Sequence, residues 1–124
     1  MRTAFFICLA TLSLGMFACG QRPAELPPDA QVKQAIEDYI ARDTQLRGAF
    51  FLRDPRDGAI LRLSFDHVHE RVSPAEGGTH YACADFKDDT GNVYDVDVYM
   101  QQSGSAYQPA KLVLHKVNGT VVVQ

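Results

Sequence analysis

The spacing of apolar residues changes at Gly48, and the spacing on either side predicts a different element. Before this glycine the apolar residues recur at helical intervals and form one stripe: Val32, Ala35, Ile36, Tyr39, Ile40 and Leu46. Asp29 precedes the stripe as a helix cap, and Gly48 suits the position just past a helix end. We therefore expect an amphipathic helix that packs one face on a sheet.

From residue 49 onward apolar and polar residues alternate, as they do in half-buried strands. The alternating runs predict strands at residues 49–53, 59–72, 79–88, 93–102 and 111–117. Asn118-Gly119 is then a turn signal before a short edge strand at 120–123. Residues 103–110, "SGSAYQPA", are the longest irregular segment and the expected binding loop. The fold class is α+β: one N-terminal helix on an antiparallel meander of 4–6 strands.

Alternation also predicts which side of each strand meets the helix. The expected buried side carries Leu61, Leu63, Phe65, Ala82, Ala84, Phe86, Tyr94, Val96, Val98, Met100, Leu112 and Leu114. The opposite side carries Tyr81, Cys83, Asp85, Asp95, Asp97, Tyr99, Val113 and His115. The order of elements, one helix and then a meander, resembles the cystatin-like group. Papain-inhibiting cystatins carry a Gln-x-Val-x-Gly loop that is absent from this sequence, which argues against protease inhibition.

The first residues, "MRTAFFICLATLSLGMFACG", have the pattern of an export signal, with Arg2 before an uncharged apolar stretch. The segment that ends in Ala18-Cys19 resembles the lipobox of bacterial lipoproteins. This resemblance implies a signal peptide at 1–18, lipidation of Cys19 and a tether at 19–28 that leads to a single domain at 29–124. The expected location is the bacterial envelope, lipid-anchored at the outer membrane and facing the periplasm. The alternatives are an uncleaved anchor or an ordinary secretory peptide, and either one still exports the domain.

Composition narrows the classes of partner. The chain has 124 residues and a formal net charge of −3 without a basic cluster, which disfavours nucleic acid. Of the three cysteines, Cys8 leaves with the signal peptide and Cys19 takes the lipid, so Cys83 has no partner for an internal disulfide.

The "DTG" hairpin leads to the first candidate site. Gly91 as third loop residue fits a type I turn with a glycine bulge, which sets Asp85 opposite Asp95 and Cys83 opposite Asp97. Asp85, Asp95, Asp97 and His115 then form an acidic cluster that could hold a divalent metal ion. The alternative is a solvated sheet face whose carboxylates are offset by lysines.

A second candidate site comes from "FDHVHERV", in which His67 and His69 share one side of a strand. If Val72 pairs with Thr79, His80 joins them on the helix-facing side, and three imidazoles are a known zinc arrangement. A single bulge would send both strand histidines to the other side. The alternative, which is the commoner case for such residues, is hydrogen-bonded histidines at the edge of a core.

The remaining features favour binding over catalysis. A carboxylate near Cys83 raises its thiol pKa and disfavours a nucleophilic role. Tyr81, Tyr99 and Tyr107 are candidates for a partner-binding surface, with sheet packing as the alternative. We expect a non-enzymatic binding or interaction module without a required cofactor, whose partners are the membrane, through the N-terminal lipid, and an envelope protein. The second hypothesis is a metal-binding or metal-dependent domain that uses either cluster.

Overall fold

The computed structural model describes residues 25–124; the predicted signal peptide and the lipidation site at Cys19 lie outside the described residues. Helix α1 spans Pro28–Arg47. Six strands follow in chain order: β1 Phe50–Arg53, β2 Ile60–Pro74, β3 Thr79–Lys87, β4 Val93–Ser103, β5 Ala106–Val117 and β6 Thr120–Val121. A short 3₁₀ turn, Glu76–Gly78, joins β2 to β3. The strands pair in sequence order as one antiparallel sheet, which confirms the α+β meander. Across residues 25–124, no helix is both long and apolar enough to cross a membrane.

The helix begins and ends at residues with special backbone properties. Its N-cap is Pro27, and Asp29 lies inside the first turn without a capping hydrogen bond, so the prediction that Asp29 is the cap was wrong. Pro28 takes the first helical position, where the missing N–H has no partner to lose. Gly48 closes the helix as predicted, with φ at 81° and its N–H donating to the Thr44 carbonyl at 2.8 Å.

The core lies between one face of α1 and one face of the sheet. Val32, Ile36 and Ile40 are each at most 1% exposed. Leu46, which was predicted to belong to the same buried stripe, is 79% exposed, so that part of the prediction was wrong. The sheet contributes Phe50, Leu63, Val68, Ala82, Ala84, Phe86, Tyr94, Val96, Val98, Met100 and Leu114. The buried side of β3 and β4 is therefore the one that alternation predicted.

Two hairpins have the register that their turn residues predict. In the "DTG" hairpin Gly91 has φ at 86°, and Asp85 pairs with Asp95. Asn118 and Gly119 both have positive φ, as a two-residue type I′ turn requires, and connect β5 to β6.

Residues 106–110 belong to β5, so the predicted binding loop at 103–110 was largely wrong. Ser103 pairs with Ala106, which leaves only two turn residues, and the pairing continues through Pro109 opposite Met100. Proline lacks an N–H but is tolerated on a strand whose other side has no full-length neighbour, and here β6 pairs only with Lys116 and Val117. Gly104 and Pro109 favour loops by their local backbone preference. That preference does not show that residues 106–110 pair with β4 at a position where a proline is tolerated.

Candidate metal-binding site on the open face of the sheet

One face of the sheet packs on α1, and we call the opposite side the open face. It carries half-buried side chains from neighbouring strands: Tyr81, Cys83 and Asp85 on β3, Asp95, Asp97 and Tyr99 on β4, and His115 on β5. Each of the β3 and β4 residues alternates with a buried neighbour that faces the helix. The predicted membership of this face is confirmed for β3 and β4, and the contact of His115 with Asp97 places it there as well.

Two irregularities in β2 place His67 and His69 on the open face. Phe65 pairs with Phe86, but His67 pairs with Asp85, so Asp66 is an extra residue in the strand. A bulge of this kind reverses the side on which the following residues lie. A second register shift follows between Val68 and Val72, and Val72 pairs with Ala82 rather than Thr79. The prediction that His67 and His69 face the helix was therefore wrong.

On the open face the two histidines meet Asp85. Nε2 of His69 lies 2.7 Å from Oδ1 of Asp85, and Nε2 of His67 lies 3.9 Å from Oδ2 of the same carboxylate. The two imidazole rings are stacked, with centroids 5.3 Å apart. His67, His69 and Asp85 each offer a ligand atom within 4.8 Å of the other two, and we call these residues the His–Asp cluster. Two nitrogens and one carboxylate oxygen are suitable ligands for a divalent transition metal.

Asp66 and Lys87 fix the orientation of the His67 ring. Oδ2 of Asp66 lies 3.0 Å from Nδ1 of His67, and Nζ of Lys87 lies 3.6 Å from Oδ1 of Asp66. The pKa of the Asp66 carboxyl is held below its usual range, mainly by the hydrogen bond from His67 and to a smaller extent by the nearby charge of Lys87. A carboxylate on one ring nitrogen leaves the other nitrogen directed at Asp85, an arrangement common among metal-binding histidines.

Cys83, Asp97 and His115 form a second group, which we call the thiol cluster. Their ligand atoms also lie within 4.8 Å of one another. Cys83 and Asp97 are direct cross-strand neighbours, as the hairpin predicts. Nδ1 of His115 lies 3.6 Å from Oδ1 of Asp97. His115 is the extra residue of a bulge in β5, because Asp95 pairs with Lys116 while the next residue, Val96, pairs with Leu114.

Asp95 lies between the two clusters and joins them into one band. Cys83, Asp85 and Asp95 offer ligand atoms within 4.8 Å of one another. Burial, together with the charges of Asp97 and Asp95, raises the pKa of the Cys83 thiol to about 12. The thiol is therefore protonated at neutral pH, and the carboxylates around it concentrate negative charge on the open face.

His80 does not join His67 and His69, so the predicted site of three histidines is not formed. His80 pairs with the buried Met100 on the helix-facing side, and its ring meets Tyr107 edge-on at 6.1 Å between centroids. The structure has the alternative arrangement, in which a bulge places His67 and His69 on the other side of the sheet from His80.

The three tyrosines predicted as one partner surface lie on two sides of the sheet. Tyr81 and Tyr99 stack on the open face with centroids 4.7 Å apart, and Nζ of Lys111 lies 4.5 Å from the centre of the Tyr99 ring. Tyr107 packs against the core on the helix-facing side.

Two surface depressions differ in the chemistry of their walls. A groove of about 340 Å³ between α1 and the β4–β5 hairpin has mixed walls that include amides such as Gln31, the charged side chains of Asp38 and Arg42, and the rings of Tyr39 and Tyr107. A depression of about 320 Å³ on the open face is lined instead by His69, the thiol cluster and Asp95, and also by the cationic side chains of Arg71 and Lys116. Metal-ligand chemistry is therefore concentrated on the open face.

Sequence reasoning identified the residues of both clusters but did not group them as the structure does, and it missed Asp66. The adjacent letters "DH" were the only signal for a contact between Asp66 and His67. Comparison with known proteins adds no relative: no protein family, no curated protein and no solved structure matches this chain.

Proposed function

We propose that this chain is a non-enzymatic binding module of the bacterial cell envelope whose ligand is a divalent transition-metal ion held by the His–Asp cluster. The observation that carries the proposal is the convergence of His67 Nε2 and His69 Nε2 on the two oxygens of Asp85, at 3.9 and 2.7 Å. Bonds of about 2.0–2.1 Å to zinc place tetrahedral ligands about 3.3 Å apart, so small side-chain movements would admit the ion.

The protonation chemistry of the cluster supports the same proposal. With the Nδ1 proton of His67 donated to Asp66, its Nε2 lone pair is free for a metal. The proton that joins His69 to Asp85 would be replaced by the ion, which satisfies both groups at once. Because two of three ligands are imidazoles, the preferred ion is Zn²⁺ or a similar transition metal rather than Ca²⁺ or Mg²⁺, which favour oxygen.

The proposed location depends on the N-terminal sequence. Arg2, the apolar stretch after it and the lipobox-like end at Cys19 support export and lipid anchoring, with the domain facing the periplasm at the outer membrane. The cystatin-like assignment belongs to the same proposal and is supported by the order of one helix and six meander strands. A binding role is favoured over catalysis because the Cys83 thiol, a potential nucleophile beside the site, has a raised pKa.

The test is zinc binding to the full-length chain, purified in detergent and stripped with a chelator. We expect Zn²⁺ to raise the melting temperature, because a ligand of the native state alone stabilises it. His69→Ala should weaken zinc binding at this cluster more than about tenfold, since even residues that only orient a metal ligand contribute about 10- to 100-fold.

His80→Ala is the matched control, because it removes an imidazole from the other side of the sheet. It should keep the zinc affinity of the unchanged protein. The proposal is wrong if Zn²⁺ causes no shift in melting temperature, or if His69→Ala and His80→Ala bind zinc equally well.

A further inference from the structure

We infer that the open face holds a second metal ion at the thiol cluster, and that this ion is of the thiolate-binding class represented by Zn²⁺ and Co²⁺. The site uses Cys83, Asp97 and His115, which are separate from the ligands of the His–Asp cluster. This second site goes beyond the proposed function. The thiol cluster can bind a metal ion whether or not the His–Asp cluster does.

The backbone holds the three ligands on neighbouring strands. Cys83 and Asp97 are paired directly across β3 and β4, so their side chains leave the sheet side by side. The bulge in β5 places His115 next to them, and the His115 carbonyl accepts a hydrogen bond at 2.8 Å from the N–H of Val122. Bulges re-aim side chains in this way next to functional sites.

The ligand set selects the class of metal. Sulfur, imidazole nitrogen and one carboxylate oxygen suit Zn²⁺ and its spectroscopic substitute Co²⁺, whereas Mg²⁺ and Ca²⁺ prefer oxygen ligands alone. The side chain of Asp97 is 14% exposed and that of His115 42%, and the depression in front of them leaves room for a water ligand in the fourth position.

Carboxylates outnumber cationic side chains at this position. Arg71 and Lys116 line the same depression, and Lys116 pairs with Asp95 across β4 and β5. Asp95 and Asp97 lie beside Cys83, and Asp85 faces Asp95 directly across the strands. In the part of the chain that the structure describes, the ion pairs of Asp85 and Asp97 are made with histidines rather than with lysine or arginine. A dication would neutralise this negative charge.

Binding would exchange a proton for the metal without oxidation or reduction. The Sγ–H bond of Cys83 breaks, its proton passes to solvent and the sulfur electron pair forms the bond to the ion, which gives up bound water. The carboxylate of Asp97 and the Nδ1 lone pair of His115 complete the protein ligands.

The experiment is a Co²⁺ titration of the full-length chain with Cys8→Ser and Cys19→Ser, so that Cys83 is the remaining thiol. The protein is kept reduced and in detergent. We expect the near-ultraviolet charge-transfer band of a cobalt–thiolate bond. Adding Cys83→Ser should abolish the band and remove one equivalent of bound Co²⁺, and His115→Gln should weaken Co²⁺ binding at this site more than about tenfold.

The two sites are distinguished by the variant His67→Ala/His69→Ala, which should keep the charge-transfer band while losing the other equivalent of Co²⁺. If no band forms in the protein that retains Cys83, His115 and Asp97, the inference is overturned whatever the variants do. A band that survives unchanged in both His115→Gln and Asp97→Asn would also overturn it. The proposed function fails separately, if His67→Ala/His69→Ala keeps every equivalent.

Discussion

Replacing Asp85 by Asn should have opposite effects on the metal-free and metal-bound protein. Asp85 is directly opposite Asp95, and its side chain is 18% exposed, so the two charges are poorly screened. Like charges at such cross-strand positions cost about 0.2–1 kcal/mol. Asparagine has nearly the same shape and keeps an acceptor for His69, although the hydrogen bond loses its charged partner. The relief of repulsion should therefore stabilise the metal-free protein by less than about 1 kcal/mol. For a domain of this size, about 1 kcal/mol corresponds to a rise of about 4–8 °C in melting temperature.

The same substitution removes a charged metal ligand. At a free Zn²⁺ concentration of about 100 times Kd, a bound ion stabilises the native state by about 2.7 kcal/mol, which corresponds to about 10–20 °C. We expect Asp85→Asn to lose most of this zinc-dependent increase. The protein should therefore become more stable in chelator and less stable in zinc than the parent.

The assay is thermal unfolding followed by circular dichroism, in chelator and in excess Zn²⁺. Every protein carries Cys8→Ser, Cys19→Ser and Cys83→Ser, so that no thiol contributes to the zinc response. Asp89→Asn is the matched control, because Asp89 is 81% exposed in the hairpin and its ion pair with Arg62 is 3.7 Å long. That control should stay within about 0.5 kcal/mol of the parent and keep the full zinc effect. Destabilisation of metal-free Asp85→Asn by more than about 1 kcal/mol would refute the repulsion argument, and an undiminished zinc effect would refute metal ligation by Asp85.

Two further predictions concern the fold. Phe86 is 0% exposed and stacks on Phe50 at 4.7 Å between centroids. Phe86→Ala should therefore lower the free energy of unfolding, measured by urea titration, by about 3–5 kcal/mol. A loss below about 1 kcal/mol would contradict the assigned core. Hydrogen bonds, chiefly from Asn92 and next from Thr90, hold the pKa of the Asp88 carboxyl well below its usual range. The stability that this carboxylate contributes is therefore full above the unfolded-state pKa of about 3.9 and is lost as the pH falls below that value. Melting temperatures measured across acidic pH should therefore fall less steeply for Asp88→Asn than for the parent, and parallel curves would show that Asp88 does not titrate in this way.

Local sequence patterns determined most of the fold. Helical spacing placed Val32, Ile36 and Ile40 on one buried face, and alternation identified the buried side of β3 and β4. Gly91 and the Asn118-Gly119 pair set the register of two hairpins, since a short turn allows few pairings. These features depend on residues close together in the chain, which is why the opposition of Asp85 and Asp95 could be predicted.

The tertiary structure decided how the candidate ligands are grouped. The extra residue at Asp66 reverses the side of His67 and His69 and brings them to Asp85, while His80 stays on the helix-facing side. A bulge is defined by the pairing of two strands, and the loop between β2 and β3 does not fix that pairing in advance. The period of two along a strand therefore predicts which residues share a face only as far as the next irregularity in pairing. Because of the irregularity in β2, His67 and His69 lie beside the acidic residues of the open face, whereas the sequence predicted them on the opposite side.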